Sequence, residues 1–489
     1  GLQKNINPSI SKEEAVEMLS QHIITKPVFD ALFEDYSFVE NNSISVSMQR
    51  MLDLLESHAI EKDTRILHKF YESVKMRASG IDNAEGKQKI IIELYDKFFK
   101  TAFPKMVERL GIVYTPVEVV DFILHSVDDI LNQEFGRRLT DENVHVLDPF
   151  TGTGTFITRL LQSGLIKDKD LQRKYTQELH ANEIVLLAYY IAAVNIENVY
   201  HDLLGEGKDY QTFEGVCLTD TFQLGETEAN EQLFSEMFPK NSARVVAQKK
   251  APIKVIMGNP PYSIGQKSAN DMAQNQPYPH LDERIEKTYV QESGAGLNKS
   301  LYDSYIKAFR WSSDRIDEQG GVVGFVTNGA WLDGNSQDGF RKRLEKEFSS
   351  IYVFNLRGNA RTSGEQRRKE KGNVFSGGTR TPISITLLVK NPNVTHDKAK
   401  IHYKDIGDYL SREEKLKIVD GFGKMTNPDM KLQTIKPNKE GDWINQRNEA
   451  FDGFIPIQPK RKFEHSASSY FVPYSLGLGT NRDAFCYNS

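Results

Sequence analysis

Apolar residues fall into two rhythms along this chain. From Ser11 to about Ala102 they recur at i, i+3 and i+4, as in MQRMLDLLESHAI and KQKIIIELYDKFFKTAF, which predicts helix after helix. Ser11-Lys-Glu-Glu reads as a capping box ahead of AVEMLSQHI. From Gly111 the rhythm changes. Short β-branched runs (Val144 to Leu147, Val216 to Leu218, IKVIM, GGVVGFV, IYVFNL and ISITLLVK) are separated by glycine turns and helical stretches such as VEVVDFILHSVDDIL and SLYDSYIKAFRWSSDRI. Strands alternating with helices predict an α/β fold with a mostly parallel sheet, preceded by an all-helical domain. The boundaries this suggests are a helical domain over 1–110, an α/β domain over 111–395, and a linker with the start of a further domain over 396–489. The polar segment from Ser263 to Ser300 reads as a long loop, which in a compact domain is usually functional.

Composition adds limits. A chain of 489 residues with 39% hydrophobic content can bury a sizeable core, and its mean hydropathy is −0.51. No apolar run approaches the ~20 residues that cross a bilayer, and no charged-then-apolar leader opens the sequence, so we expect a soluble, cytoplasmic protein without a membrane partner. The formal net charge of −5 means that any nucleic-acid surface is a local patch. Cys217 and Cys486 form neither a zinc pattern nor a disulfide framework, and no metal is expected. Gly80 to Lys87 faintly resembles a phosphate-binding loop, but Gln88 stands where Ser or Thr would hold magnesium, so no ATPase motor is read here.

The stretch with the most specific chemistry is IKVIMGNPPY. A buried strand is stopped by Gly258, Asn259, Pro260, Pro261 and Tyr262. Two prolines stiffen the loop and donate no backbone hydrogen bonds, so the carbonyls of Asn259 and Pro260, with the Asn259 amide oxygen, are acceptors for a planar NH2 group. Tyr262 adds a face on which a ring can stack. Upstream, Tyr114-Thr115-Pro116 precedes an amphipathic helix whose free N–H groups suit a carboxylate. NVHVLDPFTGTGTF reads as a strand, an acidic stop at Asp148-Pro149, and a close-approach loop at Gly152 and Gly154 before the helix that begins at Phe156.

These motifs resemble those of S-adenosylmethionine-dependent methyltransferases that modify amino groups, above all the adenine-N6 DNA methyltransferases. NPPY resembles their catalytic motif and DPFTGTGTF their methionine-binding loop. The resemblance implies a Rossmann-like sheet, with Asn259, Pro260, Pro261 and Tyr262 catalytic, and Tyr114, Thr115, Pro116, Asp148, Pro149, Gly152, Gly154 and Phe156 at the cofactor. It also implies that Glu183, after a short polar stretch following the second strand, holds the ribose hydroxyls, although an ordinary helix-start glutamate fits equally. Asp220, after Val216 to Leu218, would accept from the adenine amino group of the cofactor. The target base must leave the duplex to reach such a site.

From Arg357 to Arg380 the chain carries Arg357, Arg361, Arg367, Arg368, Lys369, Lys371 and Arg380 against Glu365 and Glu370. This reads as a solvated loop or as a phosphate-binding one. GNARTSGEQRRKEKGNVFSGGTRTPISI and PYSLGLGTNRDAF are similar to single-chain Type ISP restriction-modification enzymes, in which nuclease, motor, helical coupler, methyltransferase and target-recognition domains share one polypeptide. That resemblance implies double-stranded DNA as partner and motor and nuclease domains beyond this stretch. It also implies that the roughly hundred residues after ISITLLVK, including a helix within KDIGDYLSREEKLKIV and a linker toward PIQPKRKFEH, are only the beginning of a reader domain. Methylation of a glutamine amide or an RNA base, and a non-catalytic DNA-binding scaffold, are the alternatives.

Overall fold

A computed structural model describes residues 12–32, 38–55, 76, 115–205, 209–226, 238–262, 277–295, 299–375, 379–447, 450, 454–455 and 470. The chain divides into two units, Gly1–Trp443 and Ile444–Ser489, and the elements below lie in the first. Ser11, the helices expected between 56 and 110 apart from Met76, the loop at 80–87 and Tyr114 lie outside the described residues.

Helix α1 (Lys12–Leu32) and α2 (Ser43–Leu55), with the short turn Phe38–Asn41 between them, make up most of the described part of the helical region. Asn42 caps α2 by accepting from the N–H groups of Ile44 and Ser45, both at 3.1 Å. Met18, Ile44 and Met48 are buried in the same core as the α/β elements. Helix α3 (Val117–Phe135) follows Pro116 and ends at Gly136, whose φ of +63° supplies the left-handed stop. Of its apolar residues, Val119, Val120, Phe122, Ile123, Leu124, Val127, Ile130 and Leu131 are buried.

Short helical turns aside, among them Asp168–Arg173, the remaining elements are β1 (His145–Asp148), α4 (Thr155–Gln162), β2 (Leu179–Glu183), α5 (Leu186–Leu204), β3 (Val216–Leu218), α6 (Pro239–Lys250), β4 (Ile253–Gly258), α7 (Pro279–Ile285), α8 (Ser304–Arg315), β5 (Gly321–Asn328), α9 (Asp338–Glu347), β6 (Ser350–Arg357), α10 (Gly364–Glu370), β7 (Ile383–Lys390), β8 (Lys400–Asp405), α11 (Arg412–Phe422) and β9 (Gln433–Ile435). The strands form one nine-stranded sheet in the order β3-β2-β1-β4-β5-β7-β6-β8-β9. From β3 to β5 every pair is parallel, while β7 runs antiparallel between β5 and β6. The fold class read from the alternation of strands and helices is the one present.

Several local expectations need correction. The second strand is the polar stretch Leu-His-Ala-Asn-Glu itself, and Glu183 is its last residue. Its polar side chains tolerate burial because they find partners across the sheet: His180 lies 2.9 Å from His145, and Asn182 donates to Thr221 at 3.2 Å. The segment 263–300 is not one loop, since α7 and the turn that continues it, Glu286–Val290, bury Leu281, Ile285 and Tyr289 at helical spacing. The basic run between β6 and β7 contains α10. The helix expected within KDIGDYLSREEKLKIV starts only at Arg412, where Ser411 and Glu414 form a capping box; the residues before it finish β8 and turn through Gly407 and Tyr409 at positive φ.

The sheet also runs past 395. β8 pairs parallel with β6, β9 pairs antiparallel with β8, and α11 packs across α3. The Met425 N–H donates to Ser126 Oγ at 2.7 Å, and Lys424 pairs with Asp129 at 2.6 Å, so these residues are built into the α/β layer. Trp443 is 2% exposed and donates to Glu345 at 2.8 Å.

Candidate active site

In a parallel sheet the carboxyl ends of neighbouring strands open on one edge. Here Asp148 ends β1, Glu183 ends β2, Asp220 follows β3 by two residues, and Gly258 ends β4 directly before Asn259. β1 lies between β2 and β4, so side chains more than a hundred positions apart meet on that edge.

Asp148 is fully buried. One of its oxygens accepts from the Phe150 N–H at 3.1 Å, and the other, Oδ2, is buried without a hydrogen-bond partner. Burial, helped by the charge of Glu183, pushes its carboxyl up to about 8. A Cβ on Gly258 would stand 2.7 Å from Asp148 Oδ1, which explains the glycine at the end of β4.

The turn between β1 and α4 uses both of its glycines. Gly152 and Gly154 have φ of +56° and +86°, and a Cβ on Gly154 would come within 3.2 Å of the Ala192 backbone in α5. Glu183 clamps this turn: it accepts from the Gly152 N–H and from the Val185 N–H, each at 2.8 Å. Burial raises its carboxyl to about 7 despite these bonds. Asn195 on α5 donates to Thr153 O at 2.9 Å, and Thr221 donates to the carbonyl of Pro149. Phe156 is 3% exposed and belongs to the hydrophobic core beneath the turn.

Asp220 accepts at Oδ1 from the N–H groups of Phe222 (2.9 Å) and Gln223 (3.4 Å), and at Oδ2 from the hydroxyl of Tyr278 at 2.8 Å. Phe222 stands between Phe150 and Tyr278, with ring centroids 5.4 and 5.3 Å away. An aromatic wall thus lies beside the carboxylate.

Pro116 occupies the N-cap of α3, and its carbonyl accepts from the N–H groups of Val119 and Val120. Thr115, read in the sequence as a cofactor residue, touches the catalytic candidate: its hydroxyl oxygen accepts from Asn259 Nδ2 at 3.1 Å. The Tyr262 hydroxyl donates to Asn259 Oδ1 at 2.9 Å, and its ring meets Tyr305 edge-on at 6.3 Å. The Asn259 amide is therefore held from both sides. Burial raises the Tyr262 phenol well above its ordinary range, so it remains a donor at working pH.

Cys217 is buried, and that burial pushes its thiol up to about 12, which leaves it a poor nucleophile. Among the described residues no group of three or more His, Cys, Asp or Glu could hold a metal ion, and no helix is long and apolar enough to cross a membrane. The structure brings together Thr115, Asp148, Gly152, Gly154, Glu183, Asp220 and Asn259 to Tyr262. It adds Asn182, Asn195, Thr221, Phe222 and Tyr278, which the sequence reading passed over. Asn195 had left a trace, as a lone amide inside the apolar run AYYIAAVNI; Tyr278 had left none.

Two stretches of the chain match known families. Residues 1–86 match the coupler domain of Type ISP restriction-modification enzymes, and residues 165–360 match the Eco57I restriction-modification methylase. Among solved structures, a nuclease-deletion mutant of the Type ISP enzyme LlaGI with a DNA substrate mimic is 48% identical, with a TM-score of 0.90 over 99% of this chain and 38% of its own. The ATP-dependent Type ISP enzyme LlaBIII bound to DNA is 48% identical, with a TM-score of 0.91 over 99% of this chain and 32% of its own. A DrdV–DNA complex is 34% identical, with a TM-score of 0.89 over 99% and 46%. The chain thus spans under half the length of these three relatives. No curated protein matches by sequence.

Proposed function

The chain belongs with the coupler and methylase regions of the Type ISP restriction-modification enzymes, and on that premise we propose that it transfers a methyl group from S-adenosylmethionine to the exocyclic N6 of an adenine in duplex DNA. The observation that carries this reading is the meeting of the Asp148–Gly154 turn and the Asn259–Tyr262 loop on one sheet edge, joined through Gly258 against Asp148. LlaGI, LlaBIII and DrdV were each solved with DNA or a DNA mimic, which supports the choice of substrate. A motor and a nuclease working with this region belong to the same proposal.

The residues suit the cofactor. S-adenosylmethionine supplies a methyl group on a cationic sulfur and also carries an ammonium group. Asp148 and Glu183 are two buried carboxyls raised to about 8 and about 7, and Asp148 Oδ2 is without a hydrogen-bond partner. A cationic ligand restores both to the ionised form. Asp148 and the Gly152–Gly154 turn would hold the methionine end, Glu183 the ribose, and Asp220 the adenine.

At the other side, Asn259 Oδ1 and the Pro260 carbonyl would accept hydrogen bonds from the two N–H groups of the target amino group, which sheds one proton once the methyl has left the sulfur and bonded to the nitrogen. The lone pair of that nitrogen is delocalised into the base, and two acceptors favour the pyramidal form in which it becomes a nucleophile. Tyr262 would exchange its hydrogen bond to Asn259 for stacking on the flipped base, and Thr115 would keep hold of the amide. No covalent enzyme intermediate is needed, consistent with the inert Cys217.

The test is Asn259→Ala. It should lower methyl transfer by ~10²-fold or more while leaving S-adenosylmethionine affinity within a few-fold, as expected for loss of a transition-state acceptor. Turnover that survives the substitution would remove Asn259 from the mechanism.

A further inference from the structure

We propose that Tyr278 is a specificity-determining positioning residue of this site: its hydroxyl fixes Asp220 as an acceptor, so that the pocket selects a nucleobase bearing an amino group and rejects its keto counterpart. The inference rests on the reading of Asp220 as the adenine contact.

Tyr278 comes from a different part of the chain, 58 residues after Asp220, and meets it at 2.8 Å in a buried place. The ring is held on several sides. Phe222 lies at 5.3 Å and 67°, Lys307 Nζ stands 5.0 Å over the ring, and the Tyr278 N–H donates to Asp282 Oδ2 at 3.1 Å where α7 begins. Lys307 in turn pairs with Asp282 at 2.7 Å. A tyrosine pinned in this way does not swing in and out of the pocket, so its hydrogen bond is a standing feature of Asp220.

The consequence is chemical. A hydroxyl can serve as donor or acceptor, but facing a carboxylate it donates. With Tyr278 donating to Oδ2 and two backbone N–H groups donating to Oδ1, both oxygens of Asp220 serve as acceptors. An arriving amino group finds a partner there. A keto oxygen finds a carboxylate and loses its own hydrogen bonds to water, which sets the sign of the discrimination.

Isothermal titration of the chain with S-adenosylhomocysteine and with S-inosylhomocysteine, in which a keto oxygen replaces the amino group, tests this. The wild-type chain should prefer the adenosyl compound by at least ~10-fold. Tyr278→Phe, which keeps the ring between Phe222 and Lys307, should cut that preference to below about 3-fold, chiefly through weaker adenosyl binding. A merely structural role would weaken both ligands alike and leave the ratio unchanged, which would overturn the proposal. Asp220→Asn separates the two layers: its side-chain amide can donate to a keto oxygen, so the preference should vanish or reverse. If Asp220→Asn shifts the ratio and Tyr278→Phe does not, Asp220 stands and Tyr278 falls. If the wild-type chain shows no preference, the reading of Asp220 fails and the proposal with it.

Discussion

Asn259 illustrates what single residues reveal and conceal. Its place between a strand and two prolines was readable as an acceptor site, because those residue types leave few other uses for an amide there. Its partners, Thr115 and Tyr262, were readable only as neighbours in motifs; that one hydroxyl lies on each side of the amide is a fact of packing. Asp148 makes a prediction of its own. In the folded chain it keeps its proton up to about 8, against an ordinary value of 3.8, so between those values its burial weakens folding progressively as pH rises. Binding of a cationic cofactor favours the ionised form and must release a proton. Affinity for S-adenosylmethionine should therefore increase from pH 6 to pH 7.5, below the range in which the ligand's own ammonium is lost, and calorimetry in buffers of different ionisation enthalpy should detect the released proton; Asp148→Asn should abolish both effects. An affinity flat across that range would separate Asp148 from the ligand.

At the scale of elements, the sequence was clear where apolar periodicity was long and unclear where polar residues do structural work. The second strand was placed too early because much of it, His180 and Asn182 included, is polar, and the burial of these two depends on partners in other segments. The His145–His180 pair carries a pH signature. The imidazoles lie nearly parallel with centroids 5.2 Å apart, and burial, then the neighbouring His145, holds His180 down to about 3. Unfolded histidines take up protons near 6.5, so the stability of this arrangement is full above that value and erodes as pH falls from there toward 3. Thermal melting at pH 7 and pH 5 should show a drop that is smaller in His180→Gln. Equal drops would assign the acid sensitivity elsewhere. The basic run between β6 and β7 proved more ordered than a loop. Arg357 is tied to Asp405 and Asp408 and so is committed to structure, whereas Arg361 is exposed and Arg368 has 76% of its side chain in solvent beside Glu365. Replacing Arg361 and Arg368 by Ala should weaken DNA binding similarly for all sequences and reduce the salt slope by ~2. An unchanged slope would take them off the phosphates.

For the molecule as a whole, the fold class was legible because alternating strands and helices leave few packings, and the site because its two glycine- and proline-marked turns end strands that become neighbours in the sheet. What the sequence did not disclose is how far the sheet extends. β8 and β9 are only partly buried strands, and the pairing of β8 with β6 and of β9 with β8 is a long-range fact, so the domain edge expected at 395 falls inside continuous structure. The direct test of the account is nucleoside mass spectrometry of duplex DNA, with a mismatch opposite an adenine to ease flipping, after incubation of this chain with S-adenosylmethionine labelled in its methyl group. Labelled N6-methyladenine that disappears in Asn259→Ala is the expected result; label on cytosine instead, DNA without label, or adenine label that persists in Asn259→Ala, would contradict it.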